Sequence, residues 1–216
     1  MIVREAREAG RDNMGWCGLD MRVRRLAVGM PAAAGVLAAA LSVALVAGEP
    51  QDTPFPVETA KAERAMNQLQ QALLAKLKTA MENGGPAAAV EVCRTEARTI
   101  ADEVAGAQAL ELGRTSHRLR NPANAPRPWA RAVVDGSAGV KAAAEHLRVV
   151  DLGDRVGVLR PIGTAEMCVR CHGPSADVRR NLGAALAAAY PQDRATEFAP
   201  GDLRGWMWAE VPKGAR

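Results

Sequence analysis

The chain has 216 residues, room for one domain with extra length at one end, and it is 48% apolar but only 3% aromatic. Its 28 basic and 24 acidic residues leave a net charge of +4. Residues 1–48 carry six of those basic groups and four of the acidic ones, so the remainder is nearly balanced and recognition of nucleic acid by charge is excluded.

Residues 1–20 fit no export pattern. They read as a mis-assigned start preceding the true one at Met21, or as a cytoplasmic tail, and Cys17 falls among them. Residues 21–48 then show a short basic head (Arg22, Arg24, Arg25), a long apolar run and the small residues Val46-Ala47-Gly48. That is the layout of a signal peptide, with cleavage expected before Glu49. The run is also long enough to act as an uncleaved membrane anchor. Either way residues 49–216 are expected outside the cytoplasm, in the periplasm, with membrane attachment through the apolar segment as the variant.

From Val57 to Asn83, Met66, Leu69, Leu73, Leu77 and Met81 recur at helical spacing and give one apolar stripe. Gly84-Gly85 ends that helix and Pro86 opens a second. The second is expected to run to about Val104 with Val90, Cys93, Ala97, Ile100 and Val104 inward. Leu110 and Leu112 alternate with polar neighbours, as in a half-buried strand. Asn121-Pro122, Pro126 and Pro128 force a loop, followed by a short helix over Trp129–Val134. Two strand-like runs between His146 and Ile162 meet at Gly153-Asp154 as a hairpin. A helix over Asp177–Tyr190 and a strand over Asp202–Val211 complete an α+β chain: two N-terminal helices, then a small antiparallel sheet with helical insertions.

"CVRCHG" at Cys168–Gly173 has the C-x-x-C-H spacing of c-type haem attachment. Two thiols one helical turn apart can add to the two vinyl groups of one haem, and His172 then lies under the iron as an axial ligand. A zinc site would want a second cysteine pair, and a redox dithiol would want a βαβ setting; neither is found in the sequence. One covalent haem c is therefore the expected cofactor. The opposite axial position has candidates in His117, His146, Met66, Met81, Met167, Met207 and Cys93. A disulfide for Cys93 is unattractive, because only Cys17 remains and it precedes the export segment.

Four stretches occur in register: "VEVCRTEA" (Val90–Ala97), "GRTSHRLRNPANAP" (Gly113–Pro126), "LRPIGTAEMCVRCHG" (Leu159–Gly173) and "YPQDRATEFAPGDLRGW" (Tyr190–Trp206). Together they make the chain, from about residue 57 to 211, resemble a family of bacterial c-type haem proteins with a PAS-like fold. Such proteins occur as small exported proteins and as extracytoplasmic sensing parts of signalling proteins. The resemblance implies that the iron is held by His172 and, from the N-terminal helical region, by Cys93. It also implies that Arg120, Asn121, Pro122 and Asn124 lie near the cofactor, as does Pro161 in the stretch leading to the attachment motif. Arg114 or Arg120 is expected to pair with a haem propionate. Two departures stand out: His117 occupies a position where an apolar residue is expected, and Glu197 one where glycine is usual.

Ligation by histidine and thiolate implies a low reduction potential, and filling both axial positions argues against an enzyme. The expected function is periplasmic electron transfer with a redox partner protein. The alternative is a redox- or gas-responsive module in which Cys93 leaves on reduction and a small diatomic ligand binds. No kinase or cyclase segment is read after the domain, so signalling would run through a partner.

Overall fold

The computed structural model describes residues 54–214. The expectations for residues 1–20 and 21–48, and for cleavage before Glu49, lie outside the described residues. Within them the chain runs α1 (Pro56–Thr95), α2 (Ala97–Ala107), β1 (Glu111–Thr115), α3 (Arg131–Asp135), β2 (Arg148–Asp151), β3 (Arg155–Gly163), α4 (Val169–His172), α5 (Ser175–Ala189) and β4 (Leu203–Pro212), with short 3-10 turns between. Among the described residues no helix is long and apolar enough to cross a membrane.

The element α1 is two helices in outline. Gly85 leaves helical backbone at φ 67, ψ −163, and Pro86 restarts the helix, as the Gly-Gly-Pro punctuation predicts. The second segment stops earlier than its apolar spacing suggests. Glu96 is a one-residue irregularity (φ −105, ψ −28) in right-handed helical backbone before α2, its N–H still donating to the Val92 carbonyl and its carbonyl accepting from the Ile100 N–H, each at 2.9 Å. One turn back, the Thr95 hydroxyl donates to the Glu91 carbonyl at 2.9 Å, a local bond that competes with the backbone ladder and bends helices. Cys93 therefore rides on a short helical segment between Pro86 and Thr95.

Four antiparallel strands lie in the order β1-β4-β3-β2. The hairpin β2–β3 turns at Gly153 (φ 93), whose N–H is accepted by the Asp151 carboxylate at 2.8 Å. Alternation along the strands divides two cores. On one face Val156, Val158, Met207, Ala209 and Val211 pack with Met66, Leu69, Ile100 and Ala101 of α1 and α2. On the other, Leu159, Leu203 and Trp206 pack with Ala130 and Val134. Each aliphatic side chain fully buried this way contributes about 1.5–3 kcal/mol.

The α3 face is tied by buried polar bonds. Trp206 Nε1–H donates to the Ser137 hydroxyl at 2.9 Å. Glu210, 5% exposed, accepts from Arg127 Nε at 2.6 Å, Arg127 Nη2 at 3.0 Å and Trp129 Nε1 at 2.7 Å. Burial pushes the Glu210 carboxyl up, but those bonds and the charges of Arg127 and Arg155 outweigh it and hold it below the usual carboxylate range. Near the end of the sheet, Gly205 passes so close to the Thr115 carbonyl that no Cβ would fit, beside a register shift between Ile162 and Gly163. A third cluster joins the helices: Val90 of α1 packs with Val178, Leu182 and Leu186 of α5 and with Tyr190, and Cys171 rests against it.

Candidate haem site

Cys168 precedes the single turn of α4, which carries Cys171 and His172. Gly173 closes the turn, its N–H donating to the Val169 carbonyl at 2.8 Å. A Cβ there would stand 2.6 Å from that carbonyl oxygen, so glycine is required after the histidine. A strand-like stretch from Ala195 to Phe198 braces the motif. The Phe198 N–H donates to the His172 carbonyl at 2.9 Å and the Glu197 N–H to that of Gly173 at 2.8 Å.

The His172 ring is fixed by the same brace. Its Nδ1 lies 2.8 Å from the Ala195 carbonyl. A carbonyl only accepts, so Nδ1 carries the proton and Nε2 keeps its lone pair for a metal. Burial, and then the positive charges of Arg204 and Arg120, hold the ring well below the ordinary imidazole pKa, in the neutral form a metal needs.

Arg120 locks this assembly. Its Nε meets Asp193 at 3.1 Å with both side chains about nine-tenths buried, and Nη2 donates to the Cys171 carbonyl at 2.5 Å. Asp193 in turn accepts from the Ala195 N–H at 2.8 Å. Burial pushes the Cys171 thiol up, while Arg120, Cys93, Cys168 and Arg170 are the charged groups acting on it. Cys171 rests against the cluster in which Val90, one turn before Cys93, packs on α5, so the α1 segment with the cysteine lies beside the attachment motif although far from it in sequence.

A family model described as Tll0287-like (Tll0287) matches residues 56–212. This chain belongs to the Tll0287-like family. The crystal structure of the cyanobacterial heme-protein Tll0287 is similar at TM-score 0.57 and 25% identity, covering 74% of this chain and 98% of that one. No curated protein matches.

Within this Tll0287-like chain, Arg120, Cys168, Cys171 and His172 are brought together, with the Cys93 segment beside Cys171 and Arg114 near enough for its charge to lower the His172 pKa, and two further residues join them. Arg204 was not singled out from the sequence. Burial lowers its pKa to about 10, and its Nε is buried without a hydrogen-bond partner. Its Nη1 reaches the Ser116 hydroxyl at 3.1 Å, and its guanidinium stacks 4.9 Å over the Phe198 ring. Tyr190 is the other; burial and then the field of Cys93 push its phenol up.

The other expected residues make contacts of their own. Asn121 uses its amide oxygen inside its own turn, accepting from the Ala123 N–H at 3.0 Å. Pro161 pairs with Trp206, one register position from the Arg160–Met207–Arg114 row, and so faces the α3 side of the sheet. Arg120, expected to pair with a propionate, spends its donors on Asp193 and backbone carbonyls. His117 stacks on Phe198 at 5.6 Å, with the same Phe198 ring also meeting His172 at 6.5 Å. Burial lowers its pKa, and its Nδ1 has no partner. Of the other axial candidates, His146 and Met167 are exposed and Met81 half-buried, while Met66 and Met207 belong to the core beside α1. Glu197, in the position where glycine was expected, adopts φ 65, and its carboxylate accepts from the Ser175 N–H at 2.7 Å at the start of α5.

The donor set fits a haem. Arg114, Arg120 and Arg204 converge on His172, and Asp193 is the carboxylate ion-paired among them. The surplus positive charge suits a group that brings two carboxylates. Among the described residues no three His, Cys, Asp or Glu side chains gather to hold a bare metal ion. A histidine and a cysteine suffice when four further nitrogens come with the iron. Cys93, His172, Arg114 and Arg204 are each half-buried and keep part of their surface open.

Proposed function

We propose that this protein carries one covalently attached haem c, ligated by His172 and Cys93, and serves as an exported, periplasmic low-potential electron carrier. The observation that carries the reading is the His172 ring: its Nδ1 is tied to the Ala195 carbonyl, beside two thiols at attachment spacing, with the α1 segment that carries Cys93 beside them. The heme-protein relative supports the cofactor class.

When bound, the haem would supply an iron that takes up and returns one electron, exchanged with a redox partner protein. The chain's own groups set the terms. Cys168 and Cys171 would hold the vinyl edge by thioether bonds. His172 offers neutral Nε2, and its orientation is kept by Ala195 and indirectly by Arg120 and Asp193. Cys93 donates negative charge and so favours the ferric state, which lowers the potential. Arg204 is suited to a propionate, because its Nε is otherwise unpaired and a guanidinium matches a carboxylate. If His172 and Cys93 both hold the iron, the chain would leave no open coordination position for a substrate, which favours a carrier over an enzyme.

A second reading, a redox- or gas-responsive module, is favoured by the setting of Cys93. Its segment begins at the kink at Gly85, and among the described residues no hydrogen bond reaches the Cys93 sulfur, whereas the His172 ring is tied to the Ala195 carbonyl. Release on reduction would let a small diatomic ligand bind.

The deciding experiment is the absorption and electron spin resonance spectrum of the ferric wild type against Cys93→Ala. A change of the low-spin signature supports the ligation, and an unchanged one removes Cys93 from the iron. Carbon monoxide binding to the reduced wild type with loss of sulfur selects the responsive reading, and rapid electron exchange with no gas binding selects the carrier.

A further inference from the structure

We infer that His117 and Arg204, packed on the one Phe198 ring, form the propionate end of the site, with His117 Nδ1 donating to a haem carboxylate as Arg204 Nε does. The inference rests on the reading that a haem is bound, and it moves His117 from the candidates for the iron to the holders of the cofactor's carboxylates.

Among the described residues five buried side-chain polar atoms lack a partner. Three are threonine hydroxyls; the other two are His117 Nδ1 and Arg204 Nε, and both belong to groups packed on Phe198. The imidazole meets that ring edge to face at 5.6 Å, and the Arg204 guanidinium lies 4.9 Å over its centroid. His172 meets the same ring at 6.5 Å, so the two orphaned donors stand one ring away from the attachment turn.

Ser116 fixes the pair in place. Its hydroxyl donates to the Arg204 carbonyl at 2.7 Å and accepts from Arg204 Nη1 and the Arg118 N–H, each at 3.1 Å. His117 lies between Ser116 and Arg118 in sequence, so its backbone is held by bonds that leave the imidazole free. Arg118 Nη1 donates to the Thr196 carbonyl at 2.9 Å, and its guanidinium rests 5.5 Å from the Phe198 centroid. Two buried donors so firmly placed are costly to leave unpaired. Asp193, the carboxylate whose charge reaches Arg204, is already committed to Arg120 and the Ala195 N–H.

The neighbouring charges decide what arrives. Burial, then the charges of Arg118 and Arg204, lower the His117 pKa and favour the neutral ring. A neutral imidazole carries its proton on the nitrogen whose partner accepts. Two guanidiniums beside that ring oppose a metal cation and attract a carboxylate. Haem brings two carboxylates, one for each orphaned donor.

The test uses the full-length holoprotein and reads the propionate bending mode in its resonance Raman spectrum beside the ferric low-spin spin-resonance signal. The bend responds to hydrogen bonds at the carboxylates, which a purely structural residue would not change. His117→Phe keeps the packing on Phe198 and removes the donor. It should shift the bend, retain the low-spin signal and lower the reduction potential, because a carboxylate less well compensated favours ferric iron. His117→Leu serves where the Phe variant does not hold its haem. His117→Asn, whose amide N–H takes the place of Nδ1–H, should return the bend towards the wild-type position. A bend unmoved in the Phe and Leu variants, or moved as far by Asn, overturns the inference while leaving the cofactor reading intact. Loss of the low-spin signal in those variants would make His117 an iron ligand and also overturns it. A wild type without covalent haem overturns the cofactor reading itself.

Discussion

The Trp206–Glu210 region and the cysteine–arginine cleft are both built from buried polar groups, and they are finished to different degrees. In the first, Glu210 takes three hydrogen bonds from Arg127 and Trp129, and Trp206 and Ser137 satisfy each other and the backbone. In the second, Arg204 Nε and His117 Nδ1 are buried with no partner. Buried polar groups in folded proteins are ordinarily paired. A fold that completes one cluster and leaves its neighbour open marks the open one as the place where something else arrives.

The sharpest way to break the contrast is at the attachment turn. Replacing both Cys168 and Cys171 by alanine is expected to abolish covalent haem altogether, read as loss of haem-staining after denaturing electrophoresis, with the sheet's circular dichroism retained. The converse experiment strikes the finished region. Glu210→Ala leaves Trp129 Nε1 without its acceptor and Arg127 with Glu111 alone, and is expected to cost about 1–2 kcal/mol, seen as a lower urea midpoint, with no change in the haem spectrum. Arg120→Gln lies between the two regions in character. It should cost about 1–2 kcal/mol through the lost Asp193 pair and also perturb the spin-resonance signature of His172, because the brace at Ala195 loosens.

Acid sharpens the comparison further. The folded-state pKa of Glu210 lies below its ordinary value of 4.5, so its contribution is complete above that value and is lost as pH falls through the depressed folded pKa. Glu210→Gln should therefore flatten the acid limb of a stability-versus-pH curve and change little above it. The smallest effect is expected at Glu197. Glycine there relieves the left-handed backbone but removes the carboxylate at the start of α5, and the two largely offset, leaving the melting temperature nearly unchanged.

Much of this was legible in the sequence because it depends on neighbours in the chain. The Gly84-Gly85-Pro86 punctuation, the hairpin at Gly153 and the C-x-x-C-H turn are all set within a few residues. The irregularity at Glu96 was not legible, since the apolar spacing of Val90, Cys93, Ala97 and Ile100 continues through it and only the Thr95 side-chain bond marks it. The division of labour among the arginines was hidden for a different reason. Arg120 and Arg204 differ in what the fold sets beside them: an aspartate from the loop before β4, a serine hydroxyl after β1. Arg204, between Leu203 and Gly205 in a strand, carries no sequence signal of depth, because depth comes from the brace that Ala195–Phe198 builds over the site. The positive φ at Glu197 was anticipated in part, as a position where glycine was expected.

The kink at Gly85 gives the cysteine-bearing segment a mechanical identity of its own. It runs from Pro86 to Thr95, resting on α5 through Val90 and held near its far end by the Lys76–Glu96 ion pair at 2.8 Å. A small rotation of that segment about Gly85 would move the Cys93 sulfur while leaving every strand in register, whereas His172 stands on a turn braced through Ala195 and Phe198.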